Sequence, residues 1–369
     1  MAFSLFPARR IACTPIAHLV AKYSQRSHQS SILRRSKNDN RVHFISTTRV
    51  LGKEPMVLHH EWISNGQVVP SQSDDEKKSV VVMLHGLLGN GKNLRTPAKV
   101  LTKENDNLSA LLLDLRGHGN SNPTSSEHSD FQLLARDVLH TLDSLGLHSN
   151  QSPISWIGHS LGGRVALQSL HHLIDKKQEE STAGRMVQLP KTVWIWDSVP
   201  GLVHEDVKQV VGALESVPMP FLGKRKADLV NVLVNEKGLS KPIAQWAASS
   251  LEPTENGFVF SFDLKVARNL LDNFHEQNYM EILHGARQHH SESVKNNSGT
   301  ITSKIHIVMA DRNPSWTPEI LQQLKSIHHD DDETPFLGLH TLPKAGHWVH
   351  VDNLSGLVQI MQDHGIDKH

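Results

Sequence analysis

The sequence predicts an α/β protein with a mostly parallel, doubly wound sheet, and three features point to it. Residues 80–84 and 110–113 are uninterrupted apolar runs, each followed by a glycine-rich turn. Such runs are typical of strands that helices cover on both faces. Residues 131–145 then show apolar positions at helical spacing, with Asp130 as a candidate N-cap and Gly146 as a stop. This alternation of strand and helix favours a parallel sheet.

The remaining elements continue the same alternation. Asn65 and Gly66 form the strongest two-residue hairpin signal, between two short segments at the start of the region. Downstream, the order of strand and helix repeats as βαβαβ. The predicted hairpin segments are residues 56–63 and 67–70, the strands are 154–157, 193–196, 305–309 and 337–342, and the helices are 164–174 and 353–361.

Residues 203–286 interrupt this alternation. Their strand signal fades into helical stretches, with apolar residues at Val207, Val211 and Leu214, and residues 287–300 are polar and resemble a return linker. The segment is therefore predicted to be a helical cap inserted between sheet strands. The predicted organisation is a leader over residues 1–55, an α/β core over 56–202 and 301–369, and a cap with its linker over 203–300.

The first 38 residues have the composition of an organelle-targeting peptide. They contain no Asp or Glu, seven Lys or Arg and six Ser, and import into an organelle favours that pattern. We expect a transit peptide that is removed within residues 38–55 and a mitochondrial matrix location. A chloroplast address and a disordered basic tail are the alternatives. Removal would take away Cys13, the single cysteine, and with it any disulfide or thiol chemistry.

Composition argues against several partners. Lys plus Arg and Asp plus Glu number 38 each, so no large basic field is available for nucleic acid or an anionic membrane surface. No apolar run reaches 18 residues, which argues against a transmembrane segment. Residues 328–332 read His-His-Asp-Asp-Asp, but adjacent side chains in a polar loop rarely converge on one ion. We expect no metal and no other cofactor.

Residues 158–162 carry the strongest chemical signal. They read Gly-His-Ser-Leu-Gly, a match to G-x-S-x-G, and they lie between a predicted strand and a predicted helix, as that motif requires. A serine hydroxyl is a weak nucleophile, so it must project from a tight turn beside a base. The alternative is a chance match in a surface loop. The sequence predicts Ser160 as a nucleophile.

Two glycine-rich turns accompany this motif. Residues 85–89, His-Gly-Leu-Leu-Gly, follow the first buried strand, where a loop can donate a backbone N–H to an oxyanion. Leu87 and Leu161 are the predicted donors through their backbone amides. His85 is expected to have a structural hydrogen-bonding role. Residues 114–121 form a comparable turn after the next strand and are predicted to be scaffold.

The general base is expected late in the chain. When G-x-S-x-G lies on an α/β sheet, the catalytic residues follow one another as serine, acid and histidine. His347 comes after the last predicted strand, and Gly346 provides the turn that would direct its imidazole over the sheet edge. His350 is the rival, but it lacks such a preceding glycine.

The acid has several candidates. After the strand at 305–309, the position that usually holds an aspartate is Asn313, and an amide cannot stabilise an imidazolium as a carboxylate does. Asp311 lies two residues earlier and could substitute. Asp197, at the end of the strand that follows the nucleophile helix, is favoured over Asp311, with Asp263 third. The alternative for Asp197 is a strand-end carboxylate that caps a turn.

These motifs resemble the α/β-hydrolase superfamily over about residues 56–365. They are also similar to a subgroup of short-acyl esterases that includes bacterial esterases and a eukaryotic mitochondrial member. In that subgroup the segment after the post-cap strand lacks the usual aspartate, as at Asn313, and the acid lies at the strand end that matches Asp197. The matching segments are residues 85–89 with 93–94, 114–121, 158–163 and 345–350.

The resemblance implies hydrolysis of a small-molecule carboxylic ester or thioester of short to medium acyl chain, without a cofactor, by Ser160, Asp197 and His347. One alternative is a non-catalytic member that binds a small molecule or stabilises a partner protein on the same scaffold. Another is a different reaction, such as hydrolysis of a carbon–carbon bond. The aromatic cap residues that could line a pocket, or simply pack in a core, are Trp246, Phe258 and Phe274.

Overall fold

The structure is a computed structural model of the chain. It describes residues 54–71, 78–121, 129–147, 154–181, 188–201, 203, 205–295, 302–327 and 335–366. The predicted leader, apart from residues 54 and 55, and the His and Asp cluster at 328–332 lie outside these residues.

Ten strands and eleven helices are found in this described part. The strands are β1 (His60–Ser64), β2 (Gln67–Val69), β3 (Ser79–Leu84), β4 (Leu108–Leu113), β5 (Ile154–His159), β6 (Thr192–Trp196), β7 (Leu251–Thr254), β8 (Gly257–Phe260), β9 (Lys304–Ala310) and β10 (Leu337–Leu342). The helices are α1 (Arg95–Glu104), α2 (Phe131–Ser144), α3 (Leu161–Ser181), α4 (Glu205–Glu215), α5 (Lys226–Asn235), α6 (Lys241–Ser249), α7 (Leu264–Asp272), α8 (Tyr279–Lys295), α9 (Pro318–Ile327), α10 (Val349–Asp352) and α11 (Leu354–Asp363).

Eight of the strands form one sheet in the order β10-β9-β6-β5-β3-β4-β1-β2. The strands from β10 to β4 pair in parallel, whereas β1 is antiparallel to both β4 and β2. The turn between β1 and β2 holds Asn65 and Gly66 at φ angles of 49° and 72°, as a two-residue hairpin with two positive φ angles requires. The predicted α/β fold class and this hairpin are confirmed.

Helices cover both faces of the sheet because alternate strand residues point to opposite sides. On β3, Val80 and Val82 belong to the apolar cluster that also contains residues of α2, α3 and α8. Val81 and Met83 belong to the cluster on the other face, with residues of α1 and α11. The continuous apolar runs therefore reflect burial on both faces.

Helix α2 begins where the sequence predicted. The carboxylate of Asp130 accepts a hydrogen bond from the Leu133 amide at 2.7 Å, which satisfies one of the amides left unpaired at a helix N-terminus. After the last turn, Gly146 adopts a φ of 72°, which is the usual left-handed stop.

Between β6 and β9 the chain forms helices α4 to α8 and the separate β7–β8 hairpin. Most of these elements share an apolar cluster of their own, which includes Leu229, Ala247 and Phe260. Leu88, from the turn after β3, is also a member. This segment therefore packs directly on the glycine-rich turn that follows β3.

Two expectations for this segment were wrong in detail. The segment was predicted to be a helical cap, but residues 251–254 and 257–260 form a β-hairpin. Residues 287–295 were predicted as part of a linker, yet they continue helix α8. Ile282, Leu283 and Ala286 of α8 pack in the same cluster as α3, and this apolar stripe stabilises a helix whose outer face is polar. The assignment of residues 203–300 as a cap domain stays a prediction.

Candidate active site

The carboxyl ends of three parallel strands bring together the residues predicted to carry chemistry. Ser160 follows β5, Asp197 follows β6, and His347 lies in the turn after β10. In the sheet, β5 and β6 are neighbours, and only β9 separates β6 from β10. Because parallel strands present their carboxyl ends at one edge of the sheet, these residues lie at the same edge.

The backbone at Ser160 is a tight, strained turn. Its φ is 53°, an uncommon value for a residue with a side chain. A Cβ on Gly158 would lie 2.2 Å from the carbonyl oxygen of Gly162, and one on Gly162 would lie 2.2 Å from that of Leu84. Both glycines are therefore sterically required. The strand, turn and helix around Ser160 match the context that the motif needs.

His347 and Asp197 form a direct contact. The two side chains are joined by a hydrogen bond of 2.8 Å between Nδ1 of His347 and Oδ2 of Asp197. The Asp197 side chain has no exposed surface, whereas 45% of the His347 side chain is exposed. A buried carboxylate thus holds one nitrogen of a ring that is partly exposed to solvent.

The other two candidate acids have different partners. The carboxylate of Asp311 accepts hydrogen bonds from the amides of Lys344 and Ala345, at 2.8 and 2.9 Å. It therefore ties down the turn that carries the histidine, instead of contacting the imidazole. Asp263 caps helix α7 through a 2.7 Å hydrogen bond from the Lys265 amide. Of the three carboxylates, Asp197 is the one that the structure brings to His347.

Three further donors surround the Asp197 carboxylate. The Ala310 amide and the indole Nε1 of Trp316 donate to Oδ1, at 3.0 and 2.7 Å. The side-chain amide of Asn313 donates to Oδ2 at 2.6 Å. Asn313 occupies the position after β9 where an aspartate is usual. It is thus a hydrogen-bond donor to Asp197, which lies at the end of β6.

His159 is a site residue that the sequence analysis did not single out. Its Nε2 lies 2.8 Å from the carbonyl oxygen of His347, and the two rings are 4.9 Å apart. Burial, together with the nearby rings of His350 and His347, holds the pKa of His159 well below its usual value. It is therefore a neutral donor that ties the turn of His347 to the turn of Ser160.

The rival candidate base, His350, packs against His159. It is buried, and its ring lies 4.8 Å from that of His159 and 6.1 Å from that of Trp196. Burial lowers its pKa to about 4. Its Nδ1 has no hydrogen-bond partner within the part of the chain that is described. His350 thus lacks the carboxylate contact that His347 makes.

The turn of residues 85–89 adjoins Ser160. A Cβ on Gly86 would lie 3.5 Å from the Cβ of Ser160. The Leu88 amide donates to Nε2 of His118 at 3.1 Å, whereas the amides of Leu87 and Leu161 make no hydrogen bond to any residue described here. Two N–H groups beside the serine are therefore available to a developing oxyanion.

Two buried histidines and one carboxylate hold the turns that follow β3 and β4. His85 accepts from the Leu115 amide through Nε2, at 2.9 Å, and burial lowers its pKa. Burial and the neighbouring His85 lower the pKa of His118 to about 3. Asp114 accepts from the amides of Gly91 and Asn120, at 2.7 and 2.9 Å. The scaffold roles expected of these residues agree with their contacts.

Arg164 is a second residue that the sequence analysis missed. It lies on the first turn of α3 and is buried, and its Nη2 donates to the carbonyl oxygens of Val199 and Gly201, at 2.9 and 2.8 Å. Its guanidinium lies 3.8 Å from the ring centroid of Phe274, and burial lowers its pKa to about 10. The loop after Asp197 is thus anchored to α3, the helix that follows Ser160. The signal in the sequence was a charged residue on the face of the predicted helix that packs inward.

The three cap aromatics have different surroundings. Trp246, on α6, is half-buried and its ring lies 6.1 Å from that of Trp348, which directly follows His347. Phe258 belongs to the β7–β8 hairpin, and Phe274 stacks on Arg164. Of the three, Trp246 is the residue placed beside the turn of His347.

Neither a metal cluster nor a membrane span is found in the described part of the chain. No group of three or more His, Cys, Asp or Glu side chains there could hold a metal ion. None of the helices described is both long enough and apolar enough to cross a bilayer.

The fold and the arrangement at the carboxyl ends of its strands define an α/β hydrolase. The chain belongs to the Alpha/beta hydrolase family, whose model matches residues 81–360. A crystallised marine microorganism esterase is 19% identical and has a TM-score of 0.57, over 84% of this chain and 99% of that one. At that identity, the likeness shows the fold.

Two curated relatives are also similar. A probable alcohol acetyltransferase of Saccharomyces cerevisiae is 36% identical over 126 residues, which are 34% of this chain and 35% of that protein. The chain therefore matches about a third of that relative's length. The sn-1-specific diacylglycerol lipase ABHD11 of Mus musculus is 23% identical over 292 residues, 75% of this chain and 78% of that one. The resemblance seen in the sequence motifs is confirmed by this distant homologue.

Proposed function

We propose that the protein is a serine hydrolase that cleaves carboxylic esters of short to medium acyl chains. The contact that supports this most directly is the 2.8 Å hydrogen bond between His347 and Asp197, beside the strained turn of Ser160. A buried carboxylate that fixes an accessible imidazole is the arrangement that general-base activation of a serine needs. The esterase and lipase relatives support an ester substrate.

In the proposed reaction, His347 removes the hydroxyl proton of Ser160 as the serine oxygen attacks the acyl carbonyl carbon. The amides of Leu87 and Leu161 stabilise the oxyanion. The intermediate then expels the alcohol, which receives the proton from His347. A water molecule, deprotonated by the same imidazole, attacks the acyl carbon of the acyl-enzyme. The bond from that carbon to the Ser160 oxygen then breaks, the oxygen takes the proton back from His347, and the carboxylic acid leaves. Asp197 orients the imidazole and stabilises its cation in both steps.

The test combines an active-site probe with turnover. We expect a fluorophosphonate to label the protein at Ser160, and the variant Ser160→Ala to lose both the label and hydrolysis of short p-nitrophenyl esters. The exposed Ser216 is a matched control, and Ser216→Ala should keep both. Equal labelling or equal turnover by Ser160→Ala would rule out the assignment.

The choice of acid is tested separately. Asp197→Asn should reduce kcat by about ten-thousandfold, the order found when a triad aspartate becomes an amide. Asp311→Asn should have a much smaller effect, because its carboxylate accepts from backbone amides of the turn. Equal losses in the two variants would contradict the proposed roles.

A second candidate is acyl transfer to an alcohol, and the similarity to the yeast alcohol acetyltransferase supports it. The acyl-enzyme is the same, but an alcohol takes the place of water in the second half-reaction. Hydrolysis in the presence of ethanol distinguishes the two, since transfer yields an ethyl ester in place of the acid. A panel of thioesters in the same assay tests that alternative leaving group. Probe labelling without any turnover would instead favour a ligand-binding member of the fold.

For the location, we propose the mitochondrial matrix. The support is the acid-free, Arg-rich composition of the first 38 residues. A fluorescent protein fused after residues 1–55 should enter mitochondria, whereas one fused to residues 56–369 should not. Chloroplast import or a diffuse signal from the first fusion would contradict the proposal.

A further inference from the structure

All acceptor positions of the Asp197 carboxylate are filled. Oδ1 accepts from the Ala310 amide and the Trp316 indole, and Oδ2 accepts from the Asn313 amide and the His347 ring. An ionised carboxylate offers about four lone-pair sites. Four N–H donors therefore surround a side chain that has no exposed surface.

The orientation of the Asn313 amide is fixed by a second contact. Its Oδ1 accepts a hydrogen bond from the Ser315 amide at 3.0 Å, so its Nδ2 must face Asp197. In the flipped amide, two oxygens would meet at 2.6 Å and two N–H groups would face each other. The side chain of residue 313 can thus only donate to Oδ2.

The turn after β9 supplies three of the four donors to Asp197. The backbone N–H of Asn313 donates to the backbone carbonyl of Ala310 at 3.2 Å, and the backbone N–H of Trp316 donates to the backbone carbonyl of Asn313 at 3.3 Å. These bonds place one backbone donor and two side-chain donors of a seven-residue segment around one carboxylate. The convergence is built into the turn.

We propose that Asn313 is a positioning residue that fixes the rotation of the Asp197 carboxylate and directs Oδ2 toward His347, with Trp316 holding Oδ1 in the same way. The inference rests on the proposed function, in which Asp197 orients the base. A carboxylate at position 313 would lie against that of Asp197, and two such groups share a proton because both cannot ionise at that distance. The amide is therefore the partner that an acid at the end of β6 requires.

Other titratable groups surround the pair and do not replace this role. The two nearby rings, His159 and His350, are neutral near pH 7, since burial lowers the pKa of each. Two carboxylates of the neighbourhood are held by backbone amides of the turn that carries His347. His159 and His350 pack near the His347 ring, Asp311 and Asp352 accept from its turn, and Arg312 and Lys344 adjoin these residues in the chain.

The first experiment follows the His347 ring by NMR as the pH changes, in the resting enzyme. Without the Asn313 donor, the Asp197 charge is shared among fewer partners and interacts more strongly with a protonated imidazole. We expect Asn313→Leu to move the titration midpoint of His347 upward by about one pH unit, the size of one hydrogen bond to a charged group. Trp316→Phe, which keeps an aromatic ring, should move it in the same direction.

The second experiment measures kcat and KM across pH. Asn313→Leu should lower kcat about tenfold with little change in KM, and the acid limb of the profile should move with the NMR midpoint. Asn278 is the matched control, because its exposed amide also donates to a carboxylate, that of Glu281, at 3.0 Å. Asn278→Leu should change neither readout.

Unchanged midpoints and unchanged kcat in both Asn313→Leu and Trp316→Phe would overturn the inference. If Asn313→Leu does not fold, Trp316→Phe decides the outcome by the same measurements. The NMR titration needs no turnover, so it is independent of the activity assay. Hydrolysis that survives in Ser160→Ala would refute the proposed function, whereas unmoved midpoints beside an inactive Ser160→Ala would refute only the role of Asn313.

Discussion

His159 and His347 are joined by a 2.8 Å hydrogen bond from Nε2 of His159 to the carbonyl oxygen of His347. The residue that precedes the proposed nucleophile thus holds the backbone of the proposed base. The two residues are 188 positions apart in the chain, and the bond joins the turn after β5 to the turn after β10. A small shift of either turn would change the distance and orientation between the side chains of Ser160 and His347.

His159→Phe is expected to lower kcat about tenfold, because it keeps the ring but removes one buried hydrogen bond to the turn of the base. KM should change little, since the bond lies behind the reacting groups. Steady-state kinetics on a short p-nitrophenyl ester measures both values. His140→Phe, at an exposed position on α2, is the control. A wild-type kcat in His159→Phe would contradict the positioning role.

The buried ion pair of Arg116 and Asp137 is expected to contribute to stability mainly when one partner is lost. The guanidinium makes two hydrogen bonds to the carboxylate, at 2.6 and 2.7 Å, and the two side chains are 4% and 0% exposed. Arg116→Met should reduce the free energy of unfolding by about 3–5 kcal/mol, because it leaves an unpaired buried charge.

Urea denaturation of Arg116→Met, Asp137→Leu and the double variant measures this effect. The double variant should recover much of the loss, since it leaves no unpaired charge. The exposed pair of Lys208 and Glu205 is the comparison, and Lys208→Met should change stability by less than about 1 kcal/mol. Losses that simply add in the double variant would argue against coupling.

Stability is expected to fall as the pH falls below neutrality. Burial lowers the pKa of His118 and of His306 to about 3, whereas a histidine in the unfolded chain titrates near 6.5. Between these values the unfolded state binds more protons, so acid favours unfolding in the window from about pH 6.5 to about pH 3. From pH 7.5 to pH 5.0, each such histidine should reduce the free energy of unfolding by about 2 kcal/mol.

The variant His306→Phe isolates one of these contributions. Its ring can still stack on Trp194, which lies 4.1 Å from the His306 ring. The difference in unfolding free energy between pH 7.5 and 5.0 should shrink by about 2 kcal/mol relative to the wild type. The exposed His140→Phe should leave that difference unchanged. The same slope in His306→Phe and the wild type would show that His306 is not among the groups responsible.

Trp246→Ala is expected to change the preference for acyl length in the proposed esterase. The indole lies beside Trp348, next to His347, so its removal widens the space at the base. The ratio of kcat/KM for an octanoyl ester to that for an acetyl ester should rise about tenfold, a typical effect of a modest change in a hydrophobic pocket. Phe258→Ala, in the β7–β8 hairpin, is the control, and equal ratios in both variants would place Trp246 outside the binding region.

Part of the fold and site could be predicted because the signals are local. An apolar run such as β3 or β4 requires cover on both faces wherever it lies in a sheet. The turn at Ser160 is specified by Gly158 and Gly162, which leave no room for a side chain. The hairpin at Asn65 and Gly66 follows from the φ angles that these residues tolerate.

The roles of His159, Arg164 and Asn313 could not be predicted in this way. Each depends on a partner far along the chain, such as Asp197 for Asn313, 116 residues away. The continuation of α8 past residue 286 was missed for a related reason. Residues 287–295 are mostly polar in sequence, and their buried contact is His290, whose ring lies 5.5 Å from that of Phe336 only in the folded state.

The sequence by itself determined the sheet, the tight turn at Ser160 and the position of His347 after the last strand. It favoured Asp197 as the acid over Asp311, with Asp263 third, and left the choice open. Only the tertiary structure shows which carboxylate contacts His347, because the parallel order of β5, β6, β9 and β10 brings the end of β6 beside the turn of His347. Asp197 lies 150 residues from His347 in the chain, yet its Oδ2 is 2.8 Å from Nδ1 of His347. The packing of the sheet strands brings the two residues together.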